Sequence, residues 1–169
     1  MNPALEPGRL FPDLELTDHS GNRRTLSALA AGDPLVVHCY RGWFCPKERA
    51  FFARLCQFQQ ELEVAYSRLV SVSVEPPEVQ AAFRAGLDAR WTFLSDADRT
   101  ALVQLDLQES TDTVHDPYLP TVFTLYPDRT IHRIYNGYWF WGRPTMEELR
   151  QDLRQISAAV RDDWEGPQA

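Results

Sequence analysis

Residues 41–48 read RGWFCPKE and follow directly on the apolar run PLVVHCY. A cysteine set just before a proline, where a strand pattern gives way to a helical one, is placed where a thiol proton is easily lost. Pro46 suits the first helical position, because its missing N–H would be unpaired there in any case. Cys45 is then the expected N-cap, and Glu48 falls at the third helical position, where an acidic side chain can close a capping box. The unpaired amides of a helical first turn, with the dipole behind them, favour an anion. On this reading they point at the Cys45 sulfur and favour the thiolate, which is the nucleophilic form. Arg41 and Lys47 are close enough in sequence to add positive charge, and Glu48 opposes them unless an arginine neutralises it. The competing reading is a small buried residue in a tight strand-to-helix turn.

The other thiols stand in plainer surroundings. Cys39 falls inside the apolar strand, where core packing is expected. Cys56 follows Cys45 by 11 residues, nearly the same helix face but about 16 Å further along the axis. A disulfide needs Cα atoms within about 7 Å, so a Cys45–Cys56 bridge requires the first turns to unravel. Cys56 sits beside Leu55 near the apolar stripe and reads as a packing residue, which leaves Cys45 with no evident resolving partner. Strand alternation makes no case for pairing His38 or His115 with the cysteine.

The bulk numbers narrow the setting. At 169 residues, 44% apolar and 24% charged, the chain suits one globular domain with a real core. A net charge of −7 sets aside nucleic acid and anionic membranes as partners. No stretch approaches the roughly 18–20 apolar residues of a membrane span. The opening MNPALEPGRLFPDLEL lacks the basic-then-apolar order of a secretory signal, so a cytoplasmic location with reduced thiols is expected. Three cysteines are too few, and odd in number, for a disulfide scaffold. With no CxxC pair and no Cys/His cluster, neither a metal nor a cofactor is expected.

Apolar periods alternate in type along the chain, and they set out the elements that must position Cys45. Residues 14–26 read as two short strands around a turn at 20–22, and residues 34–40 as a central strand buried on both sides. Phe51, Leu55, Phe58, Leu62 and Ala65 recur at helical spacing. A strand over 68–75, a proline-opened helix over 76–87, a short strand over 91–96 and a short helix over 99–107 follow. Residues 120–127 and 130–139 form a hairpin around Asp128 and Arg129. Met146, Leu149, Leu153, Ile156 and Val160 mark a last amphipathic helix. This order predicts an α/β fold, with a mixed sheet flanked by helices and extended by an N-terminal hairpin.

On these residues the chain resembles a peroxiredoxin of the thioredoxin-like superfamily, the alkyl hydroperoxide reductase/thiol-specific antioxidant type. The likeness runs from about residue 8 to residue 137. It includes PGRLFPDLELTDHSGNRRTLSAL, CPKE, VSVSVEPPEVQAAF, WTFLSDADRTAL and LPTVFTLYPDRTIHRIYNG. It implies a thioredoxin-like fold, a peroxidatic Cys45, and a cis Pro120 packed beside the thiol. The family signature P-x-x-x-T-x-x-C meets His38, Gly42 and Cys45 here, so its proline and its peroxide-binding threonine are both absent. An arginine expected close to Pro120 is absent as well. RGWFCP is similar to a subgroup with RG-x-W-C-P-x-C, except that Glu48 stands at the second cysteine. Arg41 or Arg143 is then the candidate replacement cation.

The expected site is therefore Cys45, Glu48 and Arg41 as catalytic residues, with Gly42, Trp43, Phe44, Pro120 and Arg143 forming the substrate pocket. Beyond it, residues 138–169 carry an aromatic segment and the last helix. Tyr138, Trp139, Phe140 and Trp141 read either as a strand end covering the core or as an apolar wall near the thiol. The first functional expectation is a one-cysteine thiol peroxidase. Its partners are a hydroperoxide and an external thiol, either a thioredoxin-like protein or a small thiol, with a second copy of the chain as a candidate homodimer partner. Two alternatives stand beside it: a thiol-disulfide oxidoreductase or redox sensor that handles peroxide poorly, and a non-catalytic interaction module on the same scaffold.

Overall fold

A computed structural model describes residues 1–138 and 141–161 of the chain. Its elements in chain order are β1 (Glu15–Asp18), β2 (Arg23–Thr25), α1 (Leu26–Ala30), β3 (Leu35–Cys39), α2 (Pro46–Val64), β4 (Arg68–Ser73), α3 (Pro77–Gly86), β5 (Thr92–Ser95), α4 (Thr100–Leu105), β6 (Thr121–Leu125), β7 (Ile131–Asn136) and α5 (Met146–Val160). The strands form one seven-stranded sheet in the order β2-β1-β5-β4-β3-β6-β7. β3 lies inside it, parallel to β4 on one side and antiparallel to β6 on the other. The β1–β2 hairpin joins the far edge by pairing antiparallel with β5. This is the mixed sheet with an N-terminal hairpin extension that the alternation of periods predicts.

The run LVVHC is buried at every position because both sheet faces are covered. Leu35, Val37 and Cys39 enter one apolar cluster, with residues of α1 and α4 such as Leu26, Leu102 and Leu105. Val36 and Tyr40 point to the other face. There they meet Phe51, Phe52, Leu55 and Leu62 of α2 and Leu149, Leu153 and Ile156 of α5. His38 lies on this second face by the same alternation, among the rings of Phe51 and Phe52, each 5.0 Å away between centroids.

Three features differ from expectation. α1 is a single short turn capped by the Thr25 hydroxyl, which accepts the Ala28 N–H; five residues are too few for a helical period to be read. β7 stops at Asn136 rather than 139, and the chain turns at Gly137, whose φ of 130° suits glycine. α4 takes its cap from Asp96 rather than from its own N-cap residue. The buried Asp96 carboxylate accepts the Ala101 and Leu102 amides and the Tyr118 hydroxyl, and so anchors both ends of the irregular 106–119 segment.

Candidate active site

The site forms where the central strand ends. β3 delivers Tyr40 and the loop 41–44, and Cys45 is the N-cap of α2 with Pro46 at the first helical position. The thiol is free and 4% exposed. The expected sulfur contact is not made: no first-turn amide hydrogen-bonds the Cys45 side chain. The loop closes instead through its backbone, with the Cys45 N–H donating to the Gly42 carbonyl at 3.2 Å. The capping box predicted for Glu48 is therefore absent, because the amide it would have accepted is already bonded.

Glu48 has a different role. Its side chain is 0% exposed and pairs with the buried Arg143, whose Nε donates to Oε2 at 3.1 Å and whose Nη2 donates to Oε1 at 2.5 Å. Oε1 also accepts the main-chain N–H of Arg41 at 3.3 Å, and His38 Nε2 lies 3.4 Å from Oε2. Burial pushes the Glu48 carboxyl up, but His38 and Arg143 together outweigh it and hold the group below its ordinary value. Burial also lowers His38, against the pull of Glu48. A bidentate guanidinium pair is the geometry in which a buried carboxylate is best kept charged. Arg143 thus supplies the neutralising arginine that Glu48 requires.

Gly42 shows why the signature threonine is missing. Its φ is 145°, and a Cβ built there would meet Phe44 Cε1 at 2.5 Å and Glu75 Oε1 at 2.9 Å. Glu75, beyond β4, accepts the Trp43 N–H at 3.0 Å and the Tyr40 hydroxyl at 3.3 Å. Burial raises the Glu75 carboxyl despite these donors. Trp43 itself is 50% exposed and borders a shallow apolar groove with Val79, Ala82 and Phe83.

Arg41 pairs with the 106–119 segment. Its Nη2 lies 3.0 Å from Glu109 Oε2 and 2.7 Å from Asp112 Oδ2. His115 binds Asp112 at 3.0 Å and stacks on Phe44 with centroids 3.8 Å apart. Two carboxylates of the 106–119 segment thus hold the Arg41 charge. The segment in turn covers the loop through Phe44.

Pro120 also departs from expectation, since no cis peptide bond occurs among the described residues. The trans form is the ordinary state of an X–Pro bond. Here the Pro120 carbonyl accepts the Gly137 N–H at 3.1 Å, and Gly142 packs so tightly on it that a Cβ would lie 2.0 Å from its oxygen. This packing brings Gly137 and Gly142, with Arg143 next to it, against the start of β6. Of the aromatic run, Tyr138 and Trp141 are 42% and 77% exposed, so neither covers the core. Tyr138 donates to Glu109 at 3.0 Å and so joins the Arg41 group. Trp139 and Phe140 lie outside the described residues.

The model of the AhpC/TSA family matches residues 7–134. The Mycobacterium tuberculosis (strain H37Rv) protein named "Putative peroxiredoxin Rv1608c" is 30% identical over 130 residues, which cover 75% of this chain and 82% of the relative. The chain belongs to the AhpC/TSA family. Solved structures agree in fold. Peroxidoxin BcpB from M. tuberculosis superposes with a TM-score of 0.77 at 22% identity, over 93% of this chain and 99% of the other. A peroxiredoxin-like protein from Aquifex aeolicus gives 0.79 at 13% identity, over 92% and 90%. Enterococcus faecalis AhpC gives 0.75 at 16%, over 95% and 98%.

Within this AhpC/TSA site, the structure joins Cys45 to Gly42 through the backbone and Glu48 to Arg143 through side chains, and pairs the Arg41 side chain with Glu109 and Asp112. Sequence reasoning missed His38, Glu75, Glu109 and Asp112 as parts of it. Only His38 left a signal. A histidine midway through an otherwise apolar, fully buried strand calls for a polar neighbour, and Glu48 Oε2 lies 3.4 Å from its Nε2.

Proposed function

We propose that Cys45 is the thiol through which this AhpC/TSA-family oxidoreductase reduces hydroperoxides. The observation that carries the reading is the placement of Cys45 as N-cap of the long α2, directly after the central strand. The other two thiols are poorer nucleophiles, since burial pushes both Cys39 and Cys56 upward. Cys45 thiolate attacks one oxygen of the O–O bond. The S–O bond forms, the O–O bond breaks, and the alkoxide or hydroxide leaves as an alcohol or water on taking a proton. Cysteine is oxidised by two electrons to the sulfenic acid. An external thiol then condenses with it, releasing water and forming a mixed disulfide. A second thiol equivalent attacks that disulfide and returns Cys45 to the thiol.

Glu48 and Arg143 shape the pocket floor in this reading, and Arg41 fixes the loop rather than the peroxide. Gly42, Trp43 and Phe44 line the approach, with Pro120 holding the Arg143 turn. The Trp43 groove is the apolar surface on which a reductant protein or a second copy of the chain would sit. Free thiols suit a reducing compartment such as the cytoplasm. The test is hydrogen peroxide treatment followed by a sulfenic-acid trap and peptide mapping. Cys45 is expected to carry the adduct, and Cys45→Ser to abolish thiol-dependent peroxide consumption. A second reading, disulfide exchange with slow peroxide chemistry, is favoured by Gly42, which brings no hydroxyl to the peroxide. Fast exchange without the sulfenic adduct would select it.

A further inference from the structure

His38 is a buried, titratable group that the chemistry above does not use. It lies at the position where the family signature has proline, and four observations define its surroundings. Its Nε2 lies 3.4 Å from Glu48 Oε2 of α2, an ion-pair distance at which it makes no hydrogen bond. Its Nδ1 is 3.5 Å from the Ser71 hydroxyl on the neighbouring β4, with which His38 is in register. Ser71 is itself fixed, because it accepts the indole N–H of Trp91 at 3.0 Å. The remaining surroundings are the rings of Tyr40, Phe51 and Phe52, and Val122 in register on β6.

A charged carboxylate only accepts hydrogen bonds, so the ring nitrogen facing it must carry the proton. That leaves Nδ1 as the acceptor, and the Ser71 hydroxyl, whose lone pair already receives Trp91, is oriented to donate to it. The surroundings therefore favour one tautomer, with the proton on Nε2, the nitrogen 3.4 Å from Glu48. The same carboxylate clasps Arg143 and the Arg41 main-chain N–H. Whatever fixes Glu48 fixes the first turn of α2, the exit of β3 and Arg143 relative to one another.

We propose that His38 is a positioning residue for Cys45: its Nε2, 3.4 Å from Oε2, braces the Glu48 carboxylate that ties Arg143 and the Arg41 amide to the first turn of the helix Cys45 begins. The assignment rests on Cys45 being the reacting thiol. The charged and titratable groups facing the ring are Glu48 of α2, Arg143 ahead of α5 and the Tyr40 hydroxyl of its own strand end; β4 and β6 present Ser71 and Val122, which do not titrate here. Protonating His38 places a second cation on a carboxylate that already balances Arg143 and gives Nδ1 a proton directed at Ser71. This arrangement then loosens on acidification, and burial delays this to below the ordinary histidine range.

The test uses the full chain with His38→Leu, His38→Gln and Ser71→Ala. Nitrogen-15 NMR of the wild type is expected to show the Nε2–H tautomer. Cys45 reactivity is read twice between about pH 5 and 9, across the histidine range: by iodoacetamide with peptide mapping, and by hydrogen peroxide. His38→Leu is expected to slow both by about tenfold, the effect of removing a polar neighbour from a buried charged group, and to shift the acid limb. His38→Gln, which keeps an N–H for Glu48, is expected to restore most of the rate. An Nδ1–H tautomer overturns the proposal, as does a His38→Leu profile matching wild type or a Gln variant as impaired as Leu. If His38→Leu does not fold, the tautomer and the Ser71→Ala profile decide: an unchanged acid limb in Ser71→Ala overturns it. A wild type that alkylates normally yet forms no sulfenic acid defeats the peroxidase reading alone.

Discussion

The edge of the Phe44 ring occupies the place where a side chain on Gly42 would begin. An ideal Cβ at Gly42 falls 2.5 Å from Phe44 Cε1, and the backbone φ of 145° is one that other residues rarely adopt. Phe44 cannot easily yield, because His115 stacks on its other side at 3.8 Å. The missing signature threonine is thus enforced by the loop.

It follows that Gly42→Thr, the change that restores the family residue, will harm rather than improve the protein. Strained backbone of this kind costs on the order of 1–3 kcal/mol, and the displaced Phe44 adds to it. The expected outcome is a lowered melting temperature with peroxide turnover no faster than wild type. Faster peroxide consumption in Gly42→Thr would mean that the loop is more plastic than its packing indicates.

Arg143 and Glu48 form the buried pair that joins the turn after β7 to the start of α2. Removing one partner strands the other in a water-free site, which costs about 3–5 kcal/mol. Arg143→Leu and Glu48→Leu should therefore each destabilise strongly in urea titration. The double replacement should cost far less than the sum, because no charge is then left unpaired against the other. Additive losses would show that the two side chains act independently.

The fold was open to sequence reading because each strand and each long helix carries its own period. LVVHC is buried on both sides, and the α2 stripe from Phe51 to Leu62 packs as its spacing requires. The position of Cys45 was legible for the same reason, since Pro46 marks a helix start regardless of tertiary context. The partners of the site were not legible. Arg143 reaches Glu48 across 95 residues, and Arg41 is captured by Asp112 across 71. Spacing within one element says nothing about which distant charge will be folded against it. Glu48 was therefore read locally as a capping residue, and Arg41 as a helper of the neighbouring thiol.

Glu75 links pH to the loop around Trp43. Burial raises its carboxyl above the ordinary 4.5 while the Trp43 N–H, Ser73 and Tyr40 work against that shift. A carboxyl raised in the folded state keeps its proton where the unfolded chain has lost it, so stability falls as pH rises from about 4.5 through the folded value. Glu75→Gln, which cannot ionise, should remove this part of the slope in a urea midpoint measured against pH. The raised Asp96 contributes a slope of the same sign and is unaffected by the variant. An identical slope in both proteins would show that Glu75 does not titrate differently on folding.

His38 and Glu48 set the opposite trend. His38 is lowered from 6.5 and Glu48 from 4.5. Below 6.5 the unfolded chain takes up a proton that buried His38 refuses, so stability rises with pH over that window. The Glu48 contribution is fully present above its ordinary value and is lost as pH falls through the lower folded one. His38→Leu should flatten stability between the lowered folded value and 6.5, leaving the Glu48 limb beneath it. A slope in this range that is the same in wild type and His38→Leu would contradict a neutral, buried His38.

Cys56 is the remaining candidate to resolve an oxidised Cys45, and the structure argues against it. Both residues sit on the continuous helix α2 or at its start, and Pro46–Val64 is helical without a break. At 1.5 Å per residue they are about 16 Å apart along the axis, well beyond disulfide reach. The Cys56 Sγ points elsewhere and donates to the Leu87 carbonyl at 3.5 Å. Burial and the nearby Asp88 both raise its pKa, which disfavours attack on a sulfenic acid. Cys56→Ser should therefore leave turnover with an external thiol within about twofold of wild type, the range of a surface substitution that touches no reacting group. Non-reducing mass spectrometry after peroxide should show Cys45 bound to the external thiol and no intrachain bridge. A Cys45–Cys56 disulfide under those conditions would mean that the first turns of α2 unwind during the cycle.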